Sequence, residues 1–128
     1  MAKILIAEDS EMFRSILERT LLKRITCEAS FAKTGKEAYE AIKKECPSLL
    51  MADIEMPEMN GLELVEKLRA EDAYKNLPVI FLTNRKDKDS VAKALTLNVA
   101  DYILKPTTNA DMLYDKVQRV LRANKISC

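Results

Sequence analysis

The chain has 128 residues, 21 basic and 20 acidic side chains and a net charge of +1; it is long enough for one domain with a sizeable core and lacks the basic excess of a nucleic-acid-binding domain. It contains no histidine, which excludes a Ser-His triad, a histidine-rich zinc site and a phosphohistidine carrier. No apolar run is long enough to cross a membrane. No secretory leader is expected ahead of Lys3, and Cys27, Cys46 and Cys128 lack metal-ligand spacing, so reduced thiols in a cytoplasm are the expectation.

Short apolar runs alternate with amphipathic stretches, the pattern of repeated strand–helix units and a parallel sheet. The first strand is predicted at 3–8, through Ile4, Leu5, Ile6 and Ala7, and ends on Glu8-Asp9. A helix follows with Phe13, Ile16, Leu17 and Leu21 at helical spacing. The second strand, 25–31, alternates Cys27, Ala29 and Phe31 with Thr26, Glu28 and Ser30, which fits an edge strand with one exposed face. The second helix opens at Thr34 with Glu37 placed for a capping box, and its inward face is Ala38, Ala41 and Ile42. The third strand, 48–53, ends on Asp53; the third helix starts at Asn60, with Glu63 in the analogous capping place and Leu64, Val65 and Leu68 behind. The fourth strand, 78–83, ends on Thr83, and a helix near 87–97 shows Val91, Ala94 and Leu95. The fifth strand, 101–104, ends on Lys105-Pro106, and the last helix begins around Thr108 and presents Leu113, Val117, Val120 and Leu121. Five such units predict a doubly wound sheet, whose ligands bind beyond the carboxyl ends of the strands.

That rule brings Glu8, Asp9, Asp53, Thr83 and Lys105 to one sheet edge. Adjacent carboxylates repel unless a cation compensates, and three of them suit Mg²⁺, which prefers oxygen ligands. Asp53, kept ionised, is then a nucleophile toward a phosphoryl group. Lys105 is a compact charge for the phosphoryl oxygens, and Thr83 offers a hydroxyl donor. Taken singly, each feature is ordinary: a strand-end Asp caps a helix or a turn, and Lys-Pro is a loop. The functional reading rests on their joint occurrence at four different strand ends.

With those residues in hand, the chain resembles the receiver domain of two-component response regulators, of the chemotaxis-regulator kind. The likeness runs over essentially the whole chain. It is carried by Ile4-Leu5-Ile6-Ala7-Glu8-Asp9, by Asp53-Ile54-Glu55-Met56-Pro57-Glu58-Met59-Asn60-Gly61-Leu62-Glu63-Leu64, and by Ala100-Asp101-Tyr102-Ile103-Leu104-Lys105-Pro106. The fold it implies is α/β, a flavodoxin-like doubly wound five-stranded parallel sheet of order 2-1-3-4-5 with five helices. A receiver domain is expected at 1–124, with a C-terminal tail at 125–128.

The resemblance implies that Asp53 accepts phosphate from a sensor histidine kinase or phosphotransfer protein. Asp9 and Asp53 would bind Mg²⁺ directly, Glu8 largely through water, and the Glu55 backbone carbonyl would be a further ligand. Thr83 and Lys105 would contact the phosphoryl group. Thr83 and Tyr102 would form the switch that reshapes the surface of the fourth helix, fifth strand and fifth helix, a population shift biased by the phosphoryl group. The Lys105–Pro106 bond is expected to be cis, as proline permits.

The chain would be a phosphoacceptor with intrinsic autophosphorylation and slow autodephosphorylation rather than a turnover enzyme. It would be cytoplasmic, contact no nucleic acid or membrane directly, and act on a downstream protein target or a missing output domain. It would be a monomer or a weak dimer through the switch surface. Two departures from the family pattern are Asn98, in place of the usual glycine and able to adopt a left-handed conformation, and Asn84, larger than usual beside the site. Glu55 and Arg85, each two residues past a key position, are expected to pair across the mouth and hinder the hydrolytic water.

Other readings fit less well. A flavin domain would need a Gly/Ser/Thr-rich phosphate loop where Glu8-Asp9 stands, and an aspartyl phosphatase would place Asp rather than Glu55 two residues past the nucleophile. A pseudo-receiver that binds partners without phosphorylation is the alternative within the family.

Overall fold

The five apolar runs form five parallel strands: β1 (Ala2–Ala7), β2 (Cys27–Ala32), β3 (Leu49–Ala52), β4 (Val79–Thr83) and β5 (Asp101–Leu104). Their order is β2-β1-β3-β4-β5. The computed structural model describes residues 2–105 and 109–123. Five helices accompany the strands: α1 (Glu11–Leu17), α2 (Gly35–Lys44), α3 (Gly61–Arg69), α4 (Lys88–Thr96) and α5 (Ala110–Ala123). A π-helical turn, Glu18–Leu22, prolongs α1.

Strand alternation explains why the central runs read as continuously apolar. Leu5 and Ala7, Leu50 and Ala52, Val79 and Phe81 point to one face, where they meet Ala38 and Ile42 of α2, Leu64, Val65 and Leu68 of α3, and Ala94 of α4. Ile4 and Ile6, Leu49 and Met51, Ile80 and Leu82 point to the other, against Leu17 and Leu21 and against Leu113, Val117 and Val120 of α5. Both faces are covered, so both alternating sets must be apolar.

Several expectations need correction. Ile16 and Leu95, placed on apolar helical stripes by their spacing, are 37% and 73% exposed; each lies at the margin of a stripe whose centre is buried. On the edge strand β2, Ala29 is exposed along with Glu28 and Ser30; it lines an open groove against Glu18, Arg19 and Leu22 of the π-helical turn. Half of the α2 capping box forms: Thr34 accepts from Glu37 N at 3.0 Å, but the Glu37 carboxylate accepts from Lys33 N at 3.4 Å. At α3 the whole box forms between Asn60 and Glu63. Of the three cysteines expected to be reduced, Cys27 is a free, half-buried thiol, Cys46 is disulfide-bonded, and Cys128 lies outside the described residues. The expected start of α5 at Thr108 and the Lys105–Pro106 bond also lie outside them. Asn98 is left-handed, with φ 55°, as its place before β5 demands.

Candidate functional site: an acidic cleft at the strand ends

Register places the acidic residues. Ala7 of β1 lies opposite both Ala32 of β2 and Ala52 of β3, so Glu8 and Asp53, the next residue in each chain segment, leave the sheet side by side. Their backbones stay tied to it: Glu8 N donates to Ala32 O at 2.9 Å and Asp53 N to Ala7 O at 3.0 Å. Thr83 lies opposite Leu104, which delivers Lys105 to the same edge. The loop after Asp53 folds back closely, with Gly61 N donating to Ile54 O at 2.9 Å. A Cβ on Gly61 would stand 2.4 Å from the Asp53 carbonyl oxygen, so the approach of α3 to this loop requires glycine.

The side chains converge. Lys105 Nζ lies 2.8 Å from Asp53 Oδ2 and 2.5 Å from Glu8 Oε1, and the three side chains are 10%, 7% and 4% exposed. The other carboxylate oxygens are held by backbone amides: Glu55 N donates to Asp53 Oδ1 and Ser10 N to Glu8 Oε2, each at 3.1 Å. Burial pushes the Glu8 carboxyl above its ordinary value, against the opposing pull of the Lys105 hydrogen bond and the Ser10 amide. Burial pulls the Lys105 ammonium down, but hydrogen bonds to Asp53 and Glu8 outweigh it and leave its pKa raised. Carboxylate oxygens of Glu8, Asp9 and Asp53 lie within 4.8 Å of one another. This all-oxygen set fits a small hard cation such as Mg²⁺.

The cleft has a volume of about 500 Å³ and is lined by the acidic residues with Ser10, Met12, Phe13, Ile16, Glu55, Asn84 and Lys105. The α1 residues were absent from the sequence-derived site. Helical spacing marks Phe13 and Ile16 only as members of one stripe, and Met12 lies off it. Phe13 sits with its ring face 4.3 Å from Lys105 Nζ. The Ser10 N-cap, whose Oγ accepts from Phe13 N at 3.2 Å while its amide donates to Glu8, sets this first turn beside Glu8-Asp9.

The remaining expected residues are arranged around the β4–α4 loop. Thr83 is fully buried, and its hydroxyl oxygen accepts from Arg85 N at 3.2 Å; Asn84, its exposed neighbour, faces the cleft. The expected Glu55–Arg85 pairing is corrected: Arg85 Nε instead donates to Asp87 Oδ1 at 2.9 Å, a partner two residues away that also caps α4. Glu55 lines the cleft without that bond. Tyr102 packs edge-on against Phe81, ring centroids 6.1 Å apart, and its hydroxyl donates to Arg85 O at 2.6 Å.

With this geometry established, the comparisons with known proteins agree. Residues 4–118 match the response regulator receiver domain. A chemotaxis protein CheY homolog of Campylobacter jejuni is 40% identical over 120 residues, covering 93% of this chain and 92% of that protein. Chemotaxis protein CheY1 of Helicobacter pylori is 37% identical over 123 residues, 95% of this chain and 98% of that one. Among solved structures, CheY4 of Vibrio cholerae aligns with a TM-score of 0.83 at 30% identity, covering 94% of this chain and 99% of that chain. The signal receiver domain of a histidine kinase from Syntrophus aciditrophicus aligns with a TM-score of 0.88 at 30% identity, covering 100% and 96%. The chain belongs to the response regulator receiver family, and its fold is that of the chemotaxis-type receivers. Among the described residues no helix is long and apolar enough to cross a membrane.

Proposed function

We propose that the chain is a phosphoacceptor switch whose acceptor is Asp53, loaded by a sensor histidine kinase or phosphotransfer protein. The observation that carries this reading is the convergence of Glu8, Asp9 and the largely buried Lys105 ammonium on Asp53. Asp53 Oδ attacks phosphorus; a P–O bond forms, the P–N bond of the donor phosphohistidine breaks, and its nitrogen leaves with the bonding pair. Lys105, already on Asp53, follows the incoming charge. Glu8, Asp9 and Asp53, with the Glu55 carbonyl, would hold Mg²⁺, which supplies charge neutralisation at the phosphoryl oxygens. Receiver domains are signalling modules, and turnover here amounts to loading and slow hydrolysis.

The response is proposed to pass through Thr83 and Tyr102 to the surface of α4, β5 and α5, where a downstream protein or an output domain docks and a weak dimer would form. Glu55 and Asn84, which line the cleft, would tune water access at the mouth. A cytoplasmic setting suits this chemistry. Intact mass after incubation with acetyl phosphate tests the acceptor. One phosphoryl unit is expected with Mg²⁺, and none after chelation or in Asp53→Asn. An unmodified wild-type mass would return the chain to the phosphorylation-independent reading.

A further inference from the structure

We infer that Phe13 is a positioning residue for Lys105, its ring face acting as a third partner, less directional than a hydrogen bond, that keeps the ammonium in the cleft while its hydrogen bonds change hands. The inference deepens the phosphoacceptor reading and rests on it. An ammonium has three donors; two are engaged by Glu8 at 2.5 Å and Asp53 at 2.8 Å. The Phe13 ring face lies 4.3 Å from the same nitrogen, within the range in which a ring quadrupole attracts a cation. Lys105 is 10% exposed, so little water competes, and desolvation strengthens such contacts.

The consequence for function lies in the geometry of exchange. Lys105 is shared between Glu8 and Asp53 in this structure. A phosphoryl group on Asp53 would draw the ammonium toward the new oxygens and away from Glu8. Hydrogen bonds are directional and break when the donor turns; attraction to a ring face tolerates lateral movement. Phe13 itself is fixed, half-buried against the α1/α5 face of the sheet and held at the first turn of α1 by the Ser10 cap. It therefore restrains the cation without dictating which oxygen it serves.

The test replaces Phe13 in the full chain with mono-, di- and trifluorophenylalanine, near-isosteric rings whose faces are progressively less negative. Three quantities are measured: affinity for beryllofluoride in the presence of Mg²⁺, the rate of mass gain from acetyl phosphate, and affinity for Mg²⁺ alone. Beryllofluoride affinity and phosphorylation rate are expected to fall stepwise, by about three- to tenfold across the series, with Mg²⁺ affinity unchanged or higher and the thermal midpoint constant. Phe13→Tyr should retain the wild-type values and Phe13→Leu should fall to the end of the series. A flat series in a chain that still loads Asp53 would overturn the inference and leave Phe13 as packing. A thermal midpoint that drops in step with the rates would overturn it equally. If the unmodified chain gains no phosphoryl mass, the acceptor reading has failed and takes this inference with it. The Lys105 side-chain protons, shifted upfield by the ring, then report whether the contact itself exists.

Discussion

The wall of the cleft made by β1 and β3 and the wall made by the β4–α4 loop are held by different forces. Glu8 and Asp53 are buried, their amides belong to the sheet, and the loop behind Asp53 is clamped to α3 at Gly61. On the other wall, residues 84–89 are all exposed. Their side-chain ties are few: Arg85 to Asp87, Arg85 N to Thr83, and the Tyr102 hydroxyl to Arg85 O. Exposed ion pairs contribute little, and segments with few buried contacts open at low free energy. Glu8 and Asp53 are thus built into the core, while Asp9 and the β4–α4 segment beside them stand outside it.

The sharpest way to break the rigid wall is Lys105→Met. Removing one partner of a buried ion pair leaves carboxylates uncompensated, at a cost of about 3–5 kcal/mol, and urea unfolding should show it. Added Mg²⁺ should then restore more stability to the variant than to the wild type, because a folded-state ligand at free concentration c stabilises by RT ln(1 + c/Kd) and the cation binds more tightly once the competing ammonium is gone. Gly61→Ala comes next. Its Cβ meets the Asp53 carbonyl, so overpacking should destabilise by about 2–3 kcal/mol and also slow phosphorylation. Asn60→Ala removes the α3 cap, with an expected loss of about 1 kcal/mol and no change in Mg²⁺ affinity.

The exposed wall should respond differently. Tyr102→Phe deletes one hydroxyl bond and should cost no more than about 1 kcal/mol, while altering the amide exchange of residues 84–87 more than that of β3. The smallest effect concerns acid. The Arg85 hydrogen bond, then the Ser90 amide, hold the Asp87 carboxyl well below its ordinary value of 3.8. A depressed carboxyl stabilises the fold above its ordinary value and loses that contribution as pH falls toward the folded one. The Ser90 amide shift should therefore begin to titrate only below pH 3.8, and Asp87→Asn should keep the cap and abolish the titration. A Ser90 shift that moves near neutrality would show that Asp87 is not what holds the loop.

Much of the fold was legible because both faces of the sheet are covered, which makes the strands β1, β3 and β4 apolar throughout and their polar ends conspicuous. The acidic residues and Lys105 were legible for the same reason. Phe13 was not, since helical spacing tells which residues share a stripe and not what the stripe's first turn overlooks. Leu95 and Ile16 failed at the margins of such stripes. The partner of Arg85 was misread because Asp87, two residues away on an exposed loop, is nearer than any group across the cleft.

Residue order alone determined the parallel sheet, the strand-end placement of Glu8, Asp9, Asp53, Thr83 and Lys105, and the Asn60 cap, because these follow from periodicity and backbone chemistry that are local in the chain. Tertiary structure decided that Lys105 is shared between Glu8 and Asp53, that Phe13 faces its ammonium, and that Thr83 is buried while Asn84 faces the cleft. Those outcomes depend on strand register and on the approach of α1 to the sheet edge. Register and approach are set by packing between segments far apart in the chain, which no local pattern encodes.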